Sequence, residues 1–392
     1  MLYNPNRSLA VKGGIRYLQP MVRRGVRRIL DKMIRFAAFN TPNCLKRNVK
    51  DKVIAAGIVG CGHFVKNVYT PALNKRKLNL VCKSLLSNKV IDTKYVQKCL
   101  HYQTSCFGTF DHFMNSGMNS IIVATPNNAH YDFIVAGIEN GLNVFCEKPL
   151  VTEISQAYRI KNMLEKSSSV LMVGFQLRYS DIYGKLQSLI ENERFGRVLR
   201  VRVSHYLDLM DNLAKPGWLN DRSKSGGGVL FNVGIHSINL ILSLFGEVSK
   251  LSAQLESSSL FSDLGEDTAY FRLDFKEGVS AKFSLSYLKG ATSDSGFKII
   301  VSCEYGLIFC DLYKNFIFIR DKKSKKTKYL YFYDQDSDLI FKELNHFCYC
   351  VGENIKPKTD IEDYINTSLI IDALYESNNK KMRLTLKDKT YG

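Results

Sequence analysis

The sequence contains no uninterrupted apolar run of about 18 residues, the length that a helix needs to cross a bilayer. The segment richest in apolar residues, 229–245, is broken by asparagine, glycine, histidine and serine. We therefore expect no transmembrane helix. The ten cysteines include no C-x-x-C pair, and the closest two are Cys348 and Cys350. This spacing excludes a zinc ribbon and a disulfide framework and favours a reducing compartment, so we expect the protein in the cytoplasm.

The histidines lack the spacing that metal ligands show. His101, His112, His205 and His346 do not pair at short intervals with one another, with cysteine or with carboxylates. We therefore predict no metal site.

Acidic residues are scarce at the N-terminus. Residues 1–50 carry twelve lysines and arginines but only one acid, Asp31, and so supply much of the net charge of +18. The rest of the chain has little excess charge, and we expect no nucleic acid as a partner. Within this arm, residues 20–38 place apolar side chains at helical spacing between arginines, which indicates a basic amphipathic helix. Three interpretations stay open: an appendage on its own domain, a helix on an anionic membrane surface, and an organelle transit peptide.

The remaining composition, 45% hydrophobic and 23% charged, is typical of a globular protein, and 392 residues are enough for two domains. After residue 52, short β-branched strands alternate with helical patterns, which predicts an α/β fold with a doubly wound parallel Rossmann sheet. The strands are expected at 53–59, 78–86, 120–124 and 142–146. From residue 173, longer strands follow one another with only two helices, at 229–244 and 360–377. This pattern favours a C-terminal α+β domain with a large, mostly antiparallel sheet.

The predicted segments are therefore the basic arm and linker at 1–50, an α/β domain at 51–172 and an α+β domain at 173–392.

A glycine turn follows the first predicted strand. Gly60 and Gly62 match the first two glycines of a dinucleotide-binding turn, which needs a tight bend and close backbone approach to a pyrophosphate. His63 and Phe64 would then begin the helix whose amides face the phosphates. The third glycine of the motif is replaced by Val65, in a position that governs helix packing more than phosphate approach.

The end of the second predicted strand lacks the acid that usually binds the ribose hydroxyls of NAD. Ser87, Asn88 and Lys89 stand there instead. The serine and the asparagine can bond either a hydroxyl or a phosphate, and the lysine would favour the 2′-phosphate of NADP. The choice between NAD and NADP is left open.

Two further segments follow buried strands. Thr125-Pro126-Asn127 and His130 come after the third predicted strand, where ligands bind in open α/β sheets, and Cys146-Glu147-Lys148-Pro149 ends the fourth. Together with the glycine turn, these segments resemble the Gfo/Idh/MocA family of nicotinamide-dependent oxidoreductases, which includes inositol, glucose–fructose and nucleotide-sugar dehydrogenases. The resemblance covers roughly residues 52–388 and continues through Gly174-Phe175-Gln176-Leu177-Arg178-Tyr179, Gly226-Gly227-Gly228, Asn232, His236 and residues 372–377.

This family resemblance implies a dinucleotide-binding domain at 51–172 and a substrate and oligomerisation domain at 173–392. It also implies a homo-oligomer, a dimer or a tetramer, formed through the C-terminal sheet.

The resemblance implies two catalytic residues, with Lys148 near the reacting hydroxyl and His236 as general acid or base. The family often has an aspartate where this chain has Asn232, which cannot take a proton and would orient the substrate. Because positions 232 and 236 are four apart, both could face one substrate if they lie on one helix. The resemblance also implies further substrate contacts at Arg178 and Tyr179. Cofactor contacts are implied for Gly60, Gly62, His63, Phe64, Ser87, Asn88, Thr125, Pro126, Asn127, His130, Glu147, Lys148, Gln176 and Trp218.

The implied activity is reversible hydride transfer between NAD or NADP and a ring hydroxyl of a sugar, cyclitol or nucleotide sugar. Three departures from the family pattern, Val65, Asn232 and Leu219 after Trp218, motivate an alternative. In that alternative the chain is a catalytically inactive nucleotide-binding scaffold or sensor, brought to an anionic membrane surface by residues 20–38. The presence of both Lys148 and His236 favours the enzyme, since a scaffold does not need them.

Overall fold

The computed structural model describes residues 53–75, 77–209, 217–258, 265–288 and 296–386. The predicted basic helix at residues 20–38 lies outside the described residues. The two sheets of the described part confirm the predicted fold class, a parallel doubly wound sheet followed by a large, mostly antiparallel one.

The first sheet has six parallel strands in the order β3-β2-β1-β4-β5-β6. Its two central strands, β1 and β4, are buried on both faces, as their continuous apolar runs predicted. The strand order reverses between β1 and β4, which creates the crevice where open α/β sheets bind ligands. The strands are β1 (Ile54–Val59), β2 (Leu80–Leu86), β3 (Ser105–Phe107), β4 (Ser120–Val123), β5 (Asn143–Glu147) and β6 (Leu171–Gly174).

Two of these strands, β3 and β6, were not expected from the sequence. The edge strand β3 has only three residues, too few to show a pattern. The strand β6 runs to Gly174 and pairs with β5, so the first sheet continues past residue 172.

The helices of this part lie between the strands. A π-helical turn at Val65–Tyr69 leads into α1 (Thr70–Leu73), and short 3₁₀ turns occupy Asn127–Ala129 and Gln176–Tyr179. The others are α2 (Val90–Cys99), α3 (Phe110–Met114), α4 (His130–Glu139), α5 (Ile154–Leu164) and α6 (Asp181–Glu191).

The second sheet has nine strands in the order β14-β13-β12-β11-β7-β10-β9-β8-β15. Buried and partly exposed residues alternate along β9 and β11, as expected when one face covers a core. Its described pairings are antiparallel except that between β7 and β10. The strands are β7 (Val198–Tyr206), β8 (Val248–Glu256), β9 (Thr268–Phe275), β10 (Ser280–Ser286), β11 (Gly296–Cys303), β12 (Gly306–Asp311), β13 (Phe316–Asp321), β14 (Thr327–Tyr331) and β15 (Leu384–Thr385).

Helices cover the inner face of this sheet. After a 3₁₀ turn at Trp218–Asn220 come α7 (Arg222–Ser225), a π-helical turn at Leu230–Gly234, α8 (Ile235–Phe245) and, later, α10 (Ile361–Lys380), which packs on α8 and β8. By length and composition the helical stretch Arg222–Phe245 could cross a membrane, but 72% of its most apolar window is buried inside the fold. It is a core helix, which explains its apolar composition.

The helix α9 (Asp336–Glu353) comes from the C-terminal part of the chain but packs against the first sheet. Its Ile340, Leu344 and Phe347 are buried in the same apolar core as Ile58 of β1 and Phe145 of β5. The sequence analysis placed only two helices after residue 173 and missed α9, although the spacing of its three apolar residues is helical.

Candidate active site

The glycine turn after β1 has the predicted geometry. Gly60 has a φ of +92°, and its amide donates to the carbonyl of Leu86 at 2.8 Å. A Cβ at Gly60 would lie 2.5 Å from the carbonyl oxygen of Ala124, so the chain can turn here only without a side chain. A Cβ at Gly62 would meet nothing within 4 Å. The space above Gly62 is therefore open to a ligand.

His63 and Phe64, the first residues after the turn, differ in the contacts of their side chains. The ring of His63 is exposed, and its Nδ1 lies 3.1 Å from the side-chain nitrogen, Nδ2, of Asn67. Phe64 packs edge-on against Tyr69 with ring centroids 5.6 Å apart. The backbone amides of both residues, at the start of the helix, are suited to face a phosphate.

Buried polar atoms without a partner lie at the carboxyl edge of the first sheet. The hydroxyl of Thr125, after β4, and the side-chain oxygen of Gln176, after β6, are both buried and make no hydrogen bond in the described structure. Because buried polar groups are normally satisfied, such atoms are expected to have a ligand as their partner. Both residues were predicted to contact the cofactor.

Asn127 and His130, two other predicted cofactor contacts, are bonded within the protein. The amide of Asn127 donates to the carbonyl of Ser225 at 2.8 Å, and also to the side chain of Asn232. The two ring nitrogens of His130 lie 2.8 and 2.9 Å from the carbonyl oxygens of Pro149 and Thr125, and the ring is buried. The structure thus places these side chains behind the site, where they connect the segments that form it.

The strand β5 delivers Glu147 and Lys148 to the same edge. The hydroxyl of Tyr69 donates to Glu147 Oε1 at 2.6 Å, and Lys148 Nζ donates to the carbonyl of Asn232 at 3.0 Å. Burial raises the pKa of Glu147, with Tyr69 and Lys148 opposing the shift. Burial lowers the pKa of Lys148, and the nearby Glu147 partly offsets this. The lysine is therefore a held ammonium group that loses its proton at a lower pH than an ordinary lysine.

Asn232 lies inside a π-helical turn, and its side chain is bonded within the protein. Its amide donates to the carbonyls of Gly227 and Gly228 at 2.5 and 3.2 Å, while its oxygen accepts from Asn127 and keeps a second lone pair. Asn232 thus fixes the glycine segment and presents its backbone carbonyl to Lys148. Its role in orienting the substrate stays a prediction.

His236, the second predicted catalytic residue, is on the first turn of α8. Its ring packs edge-on to Phe175 at 6.3 Å between centroids and is 9% exposed. Burial holds the pKa of His236 well below its ordinary 6.5, and the charge of Lys148 adds to the shift. The imidazole is therefore neutral at physiological pH and able to accept a proton.

Two predicted substrate contacts are bonded to other parts of the chain. Arg178 is buried and donates to Asn239 at 3.1 Å and to Asp363 at 3.2 Å, so its guanidinium joins α8 to α10, while its Nε has no partner among the described residues. The hydroxyl of Tyr179 lies 3.1 Å from that of Thr359. The sequence pattern could not show these contacts, and a substrate contact at either residue stays a prediction.

Trp218 is half-buried in the 3₁₀ turn that packs on α7. Because α7 in turn contacts the turn that carries Asn127, Trp218 belongs to the same side of the molecule as the site.

Two residues next to Glu147 were missed by the sequence analysis. Tyr69 donates to Glu147, and the only local signal was a tyrosine on the helix after the glycine turn. Glu343 on α9 is fully buried, neither of its carboxyl oxygens has a partner among the described residues, and Glu147 acts on it electrostatically. No local pattern could place that helix beside β5.

The residues present fit a dinucleotide. The open space at Gly62 and the backbone amides at the start of the following helix suit a phosphate. The unpartnered polar atoms of Thr125 and Gln176 suit the polar ring of a nucleotide. In the part of the chain that the structure describes, no group of three or more His, Cys, Asp or Glu side chains is placed to hold a metal ion. Fold and site together define a dinucleotide-binding protein with a Rossmann-like parallel sheet and a second, mostly antiparallel sheet.

Comparison with protein families identifies the chain more closely. Residues 54–175 match the oxidoreductase family with an NAD-binding Rossmann fold, and residues 183–308 match the Gfo/Idh/MocA C-terminal domain. The chain belongs to the Gfo/Idh/MocA oxidoreductase family.

Individual relatives are distant. The chain is 26% identical over 200 residues to oxidoreductase P35 of Formosa agariphila, a match that covers 50% of this chain and 61% of the relative. It is 24% identical over 278 residues to myo-inositol 2-dehydrogenase of Thermotoga maritima, covering 69% of this chain and 80% of that protein.

Solved structures share the fold. A levoglucosan dehydrogenase in complex with NADH and levoglucosan superposes with a TM-score of 0.77 at 17% identity, covering 86% of this chain and all of that one. An aldose-aldose oxidoreductase of Caulobacter crescentus gives a TM-score of 0.76 at 21% identity, covering 85% of this chain and 99% of that one.

Proposed function

We propose that this chain is an NAD(P)-dependent dehydrogenase or reductase acting on a ring hydroxyl or ketone of a sugar, cyclitol or nucleotide sugar. The observation that carries the proposal is the position of Lys148, whose ammonium is bonded to the carbonyl of Asn232 and whose charge helps to lower the pKa of the buried His236. The names of the relatives support the substrate class, since they include inositol and levoglucosan dehydrogenases.

Each catalytic side chain has one role. When bound, the nicotinamide ring accepts or returns the hydride. Lys148 donates a hydrogen bond to the reacting oxygen and stabilises the negative charge that develops on it. In the oxidation, a C–H bond breaks with its electron pair and the hydroxyl loses its proton, which the neutral imidazole of His236 accepts.

The cofactor contacts follow from the same edge of the sheet. The amides after Gly62 would hold the pyrophosphate, while Thr125 and Gln176 would bond the nicotinamide half. Glu147, fixed by Tyr69, sits next to Lys148, and the two side chains oppose the effect of burial on each other's pKa. An inactive scaffold would have no need for a lysine and a histidine held in this arrangement.

Substitution of the two catalytic residues tests the proposal. We expect Lys148→Met and His236→Ala each to lower kcat by roughly 10²–10⁴-fold with little change in cofactor affinity. Lys185→Met, an exposed lysine on α6, is the matched control and should keep full activity. Steady-state kinetics on a panel of sugars, cyclitols and nucleotide sugars gives the measurement.

The dependence of kcat/KM on pH for the oxidation tests the two catalytic roles independently. Because the pKa of His236 is lowered, the acidic limb of kcat/KM should lie well below pH 6.5. Because the pKa of Lys148 is lowered, the alkaline limb should fall below pH 10.5 and disappear in Lys148→Met. Full turnover in both variants would refute the mechanism, and cofactor binding without turnover on any substrate would favour the scaffold.

A further inference from the structure

The end of β2 decides which nicotinamide cofactor this fold accepts. In the dinucleotide fold, an acid about 20 residues after the glycine turn bonds the ribose hydroxyls of NAD, whereas basic residues accommodate the 2′-phosphate of NADP. Here β1 pairs with β2 as far as Val59 and Leu86, and the amide of Gly60 donates to the carbonyl of Leu86. Ser87, the residue after Leu86, therefore lies directly beside the glycine turn.

The three residues at this point offer donors and a positive charge. Ser87 is half-buried, and its oxygen accepts weakly from the amide of Lys89 at 3.4 Å, which leaves its hydroxyl proton free to donate. The side chains of Asn88 and Lys89 are exposed. In the described part of the chain, Lys89 forms no ion pair.

The first acid after the strand is already neutralised. Asp92, in the first turn of α2, accepts from Lys66 Nζ at 2.6 Å, and that ammonium also lies 5.4 Å from the ring centroid of Tyr95. Burial is the main cause that raises the pKa of the Cys61 thiol in the glycine turn, and there the two charges oppose each other, since Asp92 raises this pKa and Lys66 lowers it. Asp92 is therefore paired, and the charge of Lys66 opposes its charge at the turn.

We propose that Ser87, Asn88 and Lys89 bind the 2′-phosphate of NADP(H), and that this chain uses NADP(H) in preference to NAD(H). The inference rests on the proposed function and narrows its cofactor. A phosphate monoester carries a charge of about −1.5 to −2 at pH 7 and accepts several hydrogen bonds. A hydroxyl, an amide and an unpaired ammonium supply the donors for it, and no free carboxylate at the strand end repels it.

The affinities of the full chain for NADPH and for NADH test the proposal. They are measured through the fluorescence of the nicotinamide at a fixed salt concentration. We expect wild type to bind NADPH about tenfold or more tightly than NADH, the effect of one or two charge-assisted hydrogen bonds. Lys89→Ala should weaken NADPH by about tenfold and leave NADH unchanged. Ser87→Asp, which places a carboxylate at the strand end, should reverse the preference.

The matched control is Lys98→Ala, which removes an exposed lysine from the last turn of α2, the helix that Lys89 precedes. It should leave both affinities unchanged, and circular dichroism of each variant establishes that it is folded. Equal or tighter binding of NADH by wild type would overturn the preference, as would a Lys89→Ala variant that weakens both cofactors alike. Turnover with NAD alone would refute this inference but not the oxidoreductase, whereas failure to bind either cofactor would refute the proposed function itself.

Discussion

Gly60 and Gly62 stand in the same turn but are required for different reasons. Gly60 has a positive φ and packs against the backbone of Ala124, so its lack of a side chain serves the fold. Gly62 has open space above it, so its lack of a side chain serves the ligand. The sequence motif contains both glycines, and the two requirements become distinct only in the folded structure.

This difference predicts opposite outcomes for two substitutions. Gly62→Val should leave the thermal unfolding midpoint nearly unchanged and abolish nicotinamide binding, because its side chain would occupy the phosphate site. Gly60→Ala should destabilise the fold by about 1–3 kcal/mol or more, since it adds backbone strain and a steric conflict. Calorimetry of unfolding and of cofactor binding checks both, and unchanged cofactor affinity in Gly62→Val would contradict the phosphate assignment.

At the scale of single elements, the glycine segment before the π-helical turn Leu230–Gly234 determines what Asn232 contacts. The carbonyls of Gly227 and Gly228 accept from the side-chain amide of Asn232, and the backbone carbonyl of Asn232 accepts from Lys148. Asn232 is thereby tied to the backbone around Lys148, a contact that the spacing of Asn232 and His236 in the sequence did not reveal.

The substitution Asn232→Ala separates the two interpretations. If Asn232 oriented the substrate, KM would rise and stability would not change. From its contacts, we expect a loss of about 1–3 kcal/mol in the free energy of unfolding. We also expect a lower kcat with a smaller change in KM, because the carbonyl that holds Lys148 moves. Chemical denaturation and steady-state kinetics decide between these results, and a rise in KM alone would support the role in orienting the substrate.

At the scale of the whole molecule, much of the fold was predictable because its signals are local. Buried parallel strands are continuous apolar runs, and the motifs after β1, β4 and β5 mark their carboxyl ends. The surface against which α9 packs was not predictable, since an apolar stripe on a helix can cover any apolar surface. Likewise, Arg178 could not be assigned to Asp363 from sequence, because 185 residues separate them.

The buried Glu343 on α9 makes the stability of the molecule depend on pH. Burial and the nearby Glu147 raise the pKa of Glu343 well above 4.5, so the folded protein holds a proton that the unfolded chain releases. Stability is therefore lost as pH rises from about the unfolded value towards the folded one.

Glu343→Gln should remove this dependence. The variant should match wild type at pH 4 and be more stable at pH 8, with a difference that grows by up to about 1.4 kcal/mol per pH unit between the two pKa values. Urea denaturation of both proteins at several pH values provides the comparison. A constant difference across that range would show that Glu343 is ionised in the folded state.

The position of α9 also governs the order in which the molecule can be completed during synthesis. The apolar core around β1 and β5 includes Ile340, Leu344 and Phe347, which leave the ribosome almost 200 residues after Phe145. Until then, the nascent nucleotide-binding half exposes the apolar surface that this helix covers, a state that favours aggregation and chaperone binding. A fragment ending at residue 174 would contain every strand of the first sheet and still lack part of its core.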